Sequence, residues 1–219
     1  MGGDFTRRPP TKYPVHVTDS FPDTTTAPRW WSLSMVDLAQ AAVFAALIAV
    51  LGLTPAIGIA GPVPITLQTL GVMLAGAVLG PKKGTLAVAI FMILAIAGLP
   101  ILSGGRTGWV SLNSPTGGYF IGFLPGVLLI GLLTAWMMPR YNIVLGIIIN
   151  LVGGAIVIYV FGIALQMIRT DAGLWALITA NAPFLWGDTA KAVIAALVAG
   201  PVHRGRPGLI APLLRSKSA

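Results

Sequence analysis

Residues 186–202 read Trp-Gly-Asp-Thr-Ala-Lys-Ala-Val-Ile-Ala-Ala-Leu-Val-Ala-Gly-Pro-Val, an apolar run that carries an acid and a base near its start. Asp188 and Lys191 are the only acid and the only lysine inside the apolar body of the chain. Three residues apart on a helix, they share one face, close enough to pair or to hold one bound molecule together. Near a bilayer centre each charge costs roughly 2.5 to 3.5 kcal/mol. Both must therefore face protein, ligand or water. The stretch 188–202 rises only about 22 Å as a helix, against a hydrocarbon core of about 30 Å. With His203 and Arg204 at the inner boundary, Asp188 is expected to sit short of the outer surface as an N-cap, with Lys191 in the first turn. Pro183 is expected to make the preceding chain enter as a broken or looped segment, a geometry tolerated at depth only against protein or a wet cavity. Either the aspartate caps its own helix and the lysine neutralises it, or the pair lines the floor of an outward-facing pocket.

Outward from this stretch the whole chain is apolar. Of 219 residues 56% are hydrophobic and 9% charged, and mean hydropathy is +0.87. An ordinary soluble domain has about 25% charged residues, so the chain is an all-α integral membrane protein. Apolar stretches at about 35–53, 63–79, 85–102, 119–138, 141–168 and 184–202 give six transmembrane helices. Most have the length of a spanning helix, about 17 to 25 residues. Their breaks carry turn chemistry: Thr54-Pro55 to Gly61-Pro62, Gly80-Pro81-Lys82-Lys83-Gly84, the long 103–118 segment, Pro139-Arg140, and 169–183.

Net charge is +8. With both termini cytoplasmic, Arg7, Arg8, Lys12, Arg29, Lys82, Lys83, Arg140, Arg204, Arg206, Arg215 and Lys217 fall inside, and only Arg106 and Arg169 outside. That asymmetry is the positive-inside pattern of a multi-pass protein, expected here in a bacterial cytoplasmic membrane. Residues 1–30, rich in Pro and Thr, predict a disordered cytoplasmic tail, residues 31–203 the membrane domain, and residues 204–219 a basic cytoplasmic C-terminal tail. Basic residues of this kind meet anionic membrane lipid. No basic stretch is interleaved with exposed aromatics, so no nucleic acid partner is expected.

Further polar residues enter the membrane region. The segment Ser-Gly-Gly-Arg-Thr-Gly-Trp-Val-Ser-Leu-Asn-Ser-Pro-Thr-Gly-Gly-Tyr (103–119) is too glycine-rich for a helix and too long for a tight turn, a length at which loops are functional or disordered. Arg106 within it suits a carboxylate or other anion; Asn113, Thr116 and Tyr119 can add neutral hydrogen bonds. Gln68 and Asn150 are amides within spans, where hydrogen bonding between helices is the default. Gln68 is the better pocket candidate, because it lies level with Asp188. In the first span Ala41, Ala45 and Ala49 recur every four residues, a flat strip suited to close helix contact, within the bundle or with a partner.

An enzyme finds little to work with here. There are no cysteines, no second intramembrane aspartate, and His16 and His203 lie in a tail and at a boundary. No metal site or cofactor is expected. The run Gly-Pro-Lys-Lys-Gly-Thr (80–85) lacks the spacing of a phosphate-binding loop. A passive channel would be the remaining rival of another class.

Four separated motifs, Pro-Ile-Thr-Leu-Gln-Thr-Leu-Gly-Val-Met-Leu-Ala-Gly (64–76), Gly-Leu-Pro followed by Ser-Gly-Gly-Arg (98–106), Pro-Thr-Gly-Gly-Tyr (115–119) and Gly-Asp-x-x-Lys (187–191), resemble the BioY proteins. These are the substrate-binding S components of energy-coupling factor biotin transporters. The likeness runs over residues 35–203, with Trp186 where family members often carry Pro. The resemblance implies a six-helix fold holding biotin near the outer surface, with Asp188, Lys191, Arg106, Asn113, Gln68 and Tyr119 as ligand-binding residues. Asp188 would take a ureido N–H, Lys191 the ureido oxygen or the carboxylate, and Arg106 the carboxylate. It further implies a transmembrane coupling protein and ATP-binding-cassette ATPase subunits as partners, with the Ala41, Ala45, Ala49 strip as the docking contact. An S component for another small vitamin would keep the architecture and change the ligand, and a stand-alone facilitator would work without the partners.

Overall fold

The computed structural model of the protein describes residues 33–54 and 66–213. The N-terminal tail expected at 1–30, the 55–62 part of the first break and the last residues of the C-terminal tail lie outside them. Among the described residues every element is helical, apart from one isolated bridge between Leu102 and Arg106.

Helix α1 (Met35–Leu53) opens on a capping box: Ser34 Oγ accepts from Asp37 N at 3.1 Å, and Asp37 Oδ2 accepts from Ser34 N at 3.0 Å. These bonds use two of the four N–H groups that a helix start leaves free. Its inward face is Ala41, Ala45, Ile48 and Gly52. Ala41 and Ala45 are thus buried against the bundle and Ala49 is half-buried, which turns the predicted alanine strip into a packing face; Ala39, Ala42 and Ala46 are the small residues that look outward.

Helix α2 (Gln68–Ile96) is folded on itself. Gly80 has φ 77° and ψ −170°, a region open essentially to glycine alone, and Pro81 follows. A Cβ added to Gly84 would lie 2.5 Å from Ala75 O, whereas nine residues of straight helix span about 13.5 Å. The element is a helical hairpin, with Lys82 and Lys83 just past the turn. Its second leg ends at Ile96, short of the predicted Leu102. The glycine-rich segment that follows contains a short helix, α3 (Gly108–Leu112), which the sequence reading excluded. Thr107 caps it, accepting from Val110 N at 3.3 Å.

Next come α4 (Gly117–Met137), then α5 (Ile143–Leu151), a π-helical turn (Val152–Val157) and α6 (Ile158–Thr170), which run on as one rod. After them stand α7 (Leu174–Asn181) and α8 (Phe184–Gly205). The π-turn places Gly153 against Ile130 of α4 and Gly154 against Met73 of α2, so small residues stand where three helices crowd together. Asn150, one turn before, is fully buried, and neither of its amide atoms has a hydrogen-bond partner. The interhelical bond expected of it is not made.

Five helical stretches (α1, α2, α4, the α5–α6 rod and α8) are long and apolar enough to cross a membrane. Their core is Ile48, Met73, Phe91, Phe120, Ile130 and Ile158. Yet the outer faces are apolar too, with Val43, Ile93, Leu128, Ile148, Val160 and Leu197 exposed. A soluble protein rarely presents so continuous an apolar surface; in a bilayer that surface meets lipid.

The bundle has two polar ends. At one, Lys83 Nζ pairs with Asp37 at 3.5 Å and donates to Gln40 Oε1 at 2.9 Å and Leu209 O at 3.2 Å. There too His203 Nε2 bonds Ala77 O at 2.8 Å. The chain after α8 folds back on this end: Ile210 is buried and Leu213 N donates to Ala135 O at 3.2 Å. At the other end Gln68 Nε2 donates to Ile101 O at 3.1 Å, and Arg169 reaches Leu112 O at 2.6 Å and Ser114 O at 2.9 Å.

Candidate functional site

Helix α8 starts at Phe184, with Pro183 as its N-cap residue. Asp188 is therefore inside the helix, and the N-cap role expected of it is not what the structure shows. The turn at 182–183 between α7 and α8 is the interruption that Pro183 predicted. With its own helix end begun a turn earlier, the aspartate is free to work sideways. Lys191 Nζ lies 2.9 Å from Asp188 Oδ1, and both side chains are almost wholly buried. Thr69, from the start of α2, joins them: its hydroxyl accepts from Lys191 at 2.9 Å and stands 3.4 Å from Asp188 Oδ1. Tyr159 of α6 donates its hydroxyl to Asp188 Oδ2.

This cluster closes the inner end of a cavity of about 740 Å³, part of it open to the outside. Its walls are apolar where α4, α6 and α8 meet, at Phe120, Phe123, Ile158 and Phe184. Phe120 stacks edge-on against Phe123 and Phe91, with ring centroids 6.1 and 6.3 Å apart.

A second polar group hangs from Tyr119, whose hydroxyl lies 2.8 Å from Asn181 Oδ1 and 3.3 Å from Gln166 Oε1. Asn181 is itself held by Leu177 O at 2.8 Å. Tyr119 and Tyr159 meet edge to face at 5.9 Å, so the two networks share an aromatic wall. Gly162 makes room for it: a Cβ there would fall 2.3 Å from the Tyr119 ring. Across the cavity Arg106, half-buried, is steadied by Ser103 O at 3.2 Å and Thr116 Oγ1 at 3.4 Å. Ser103 Oγ is buried with no partner.

Of the six residues read from sequence, Asp188, Lys191, Arg106, Gln68 and Tyr119 line this one cavity. Asn113 does not reach it. Exposed at the end of α3, it donates Nδ2 to Trp109 O at 2.9 Å. Thr69, Ser103, Tyr159 and Asn181 line the cavity without having been singled out. Tyr159 carried a signal: it is a lone hydroxyl in a long apolar run, the same argument that drew attention to Asn150.

Chemically the cavity offers one acid against two bases, a net positive charge suited to a monoanion. Lys191 has three donors and uses two of them, on Asp188 and Thr69. Asp188 accepts from Lys191 and Tyr159, with the Thr69 hydroxyl beside them, an arrangement that holds a buried carboxylate without water. A ligand with vicinal N–H donors and a carbonyl can exchange into this set without leaving a charge unpaired.

The BioY family model matches residues 24–208. The biotin transporter BioY of Rhizobium etli is 40% identical over 181 residues, covering 80% of this chain and 97% of its own. That of Rhodobacter capsulatus is 42% identical over 177 residues, covering 76% and 93%. The crystal structure of the S-component for biotin from an ECF-type ABC transporter superposes with a TM-score of 0.75 at 34% identity, covering 81% of this chain and 97% of that one.

Proposed function

The chain belongs to the BioY family, and on that premise we propose that it is the biotin-capturing S component of an energy-coupling factor transporter. It is a transport protein and not an enzyme. The observation that carries the reading is the buried Asp188–Lys191 pair, held by Thr69 and Tyr159 at the base of a cavity that also takes in Arg106. Biotin presents two ureido N–H donors, a ureido carbonyl and a carboxylate. Asp188 receives a ureido N–H, the spare Lys191 donor meets the ureido oxygen, and Arg106 and Ser103 near the opening hold the carboxylate. The ring system and its sulfur pack on Phe120, Phe123 and Phe184.

The reading includes six membrane crossings. The support is the hairpin at Gly80: its two legs count separately, so the chain passes between the two polar ends six times and returns to the end where it started. The lysines and arginines gathered there favour the cytoplasmic side of a bacterial inner membrane. Energy comes from a transmembrane coupling protein with ATPase subunits, which meets the outward small-residue face of α1, Ala39, Ala42 and Ala46, rather than the inward strip.

Equilibrium binding of labelled biotin to the purified, detergent-solubilised chain, with no partner present, tests the proposal. Saturable binding displaced by unlabelled biotin but not by thiamine or riboflavin is expected. Absence of binding by a folded sample, or displacement by another vitamin, would overturn it.

A further inference from the structure

A second cavity opens at the opposite end of the bundle, between the α4–α5 connection and the turn that follows α8. Met138, Pro139 and Ile210 form apolar wall beside Arg140, Tyr141, His203 and Arg204. Among the described residues no acidic side chain lines it. Asp37, the acid at this end among the described residues, is occupied with Lys83. Arg140 and Arg204 are exposed, whereas the Tyr141 hydroxyl is buried and has no hydrogen-bond partner. His203 is committed elsewhere. Its Nε2 bonds Ala77 O, and its ring lies 5.2 Å from that of Tyr141, fixing the tyrosine in place.

A buried donor left without a partner is costly, and two arginines lining a cavity with no acid among the described residues call for an anion. Arginine forks match phosphate oxygens two at a time. The flanking turns carry exposed apolar side chains, Trp136 at the end of α4 and Val144 at the start of α5. Such a rim suits acyl chains beside a headgroup at the membrane interface. We infer that this cavity is a binding site for the phosphate of an anionic phospholipid headgroup, held by Arg140, Arg204 and the Tyr141 hydroxyl, separate from the biotin cavity at the other end.

Native mass spectrometry of the full chain released from nanodiscs tests the inference, using equal amounts of phosphatidylglycerol and phosphatidylcholine. Retention of phosphatidylglycerol over phosphatidylcholine by tenfold or more is expected. The preference should fall at least fivefold in the Arg140→Gln/Arg204→Gln double variant. Tyr141→Phe, which keeps the ring, should weaken it less. Arg206→Gln removes one positive charge at a position outside the cavity lining and should leave retention as it is. Equal retention of the two lipids, an unchanged preference in the double variant, or an equal loss in Arg206→Gln would each overturn the site. Displacement of the lipid by millimolar inorganic phosphate would instead assign the cavity to a soluble anion and overturn the headgroup. A double variant that is no longer monodisperse gives way to Tyr141→Phe, whose wild-type retention would also overturn it.

Discussion

At the residue scale the protein depends on charges that are buried because they have each other. Removing one partner of such a pair leaves the other uncompensated. Asp188→Asn and Lys191→Ala are therefore expected to weaken biotin binding by tenfold or more while the chain still elutes as a folded species. Equilibrium binding of labelled biotin reads the effect, and wild-type affinity in both variants would remove the pair from the site. Asn113→Ala should bind as the parent does, because its side chain caps α3. Asn181→Ala should bind more weakly, because it leaves Tyr119 with Gln166 alone at 3.3 Å. The Asp188–Lys191 contact was legible in the sequence because three-residue spacing on a helix fixes which side chains meet. Asn113 stands apart from Arg106 and Tyr119, which line the cavity, because a five-residue helix inside a glycine-rich segment turns it away, and composition does not show that helix. Tyr159 and Asn181 come from α6 and α7, and nothing in sequence order links those elements to Asp188.

At the scale of elements, the breaks were easier to read than the faces. Gly80-Pro81 announces a turn in any context, and the structure reverses there. Gly80→Ala should lower the melting temperature, since the added methyl group forces a glycine-only conformation costing about 1 to 3 kcal/mol. A thermal melt unchanged from the parent would argue against the strained turn. The alanine strip of α1 shows the opposite case. Alanine recurs on both sides of the helix, so composition marks close packing without telling the inner face from the outer. Ala45→Leu overfills a buried position and should destabilise the fold by about 1 to 3 kcal/mol. Ala46→Leu, on the outward face, should leave biotin binding intact and impair uptake in cells that supply the coupling protein. Equal thermal stabilities for the two variants would contradict this assignment of faces.

At the scale of the molecule, the segment that carries Arg106 and α3 along the cavity is also held by a contact from elsewhere. Arg169, at the end of α6, grips Leu112 O and Ser114 O, and so ties the 103–116 segment to the rod that carries Tyr159. Arg169→Gln is expected to speed biotin release several-fold with little change in the association rate, as stopped-flow displacement would show; an unchanged release rate would sever this link between segment and ligand. The rod itself is interrupted by the π-turn at Val152–Val157, in which the chain carries one residue more than an α-helical path needs. That surplus makes the turn the one place where the rod tolerates a change in the length of the gene. Loss of a single codon within it would restore regular helix and leave Asn150 and Tyr159 on their present faces, because the extra residue is taken up there. Loss of a codon elsewhere in the rod would turn one half about 100° against the other. Variants one residue shorter should therefore be found within 152–157 and be rare in the rest of the rod.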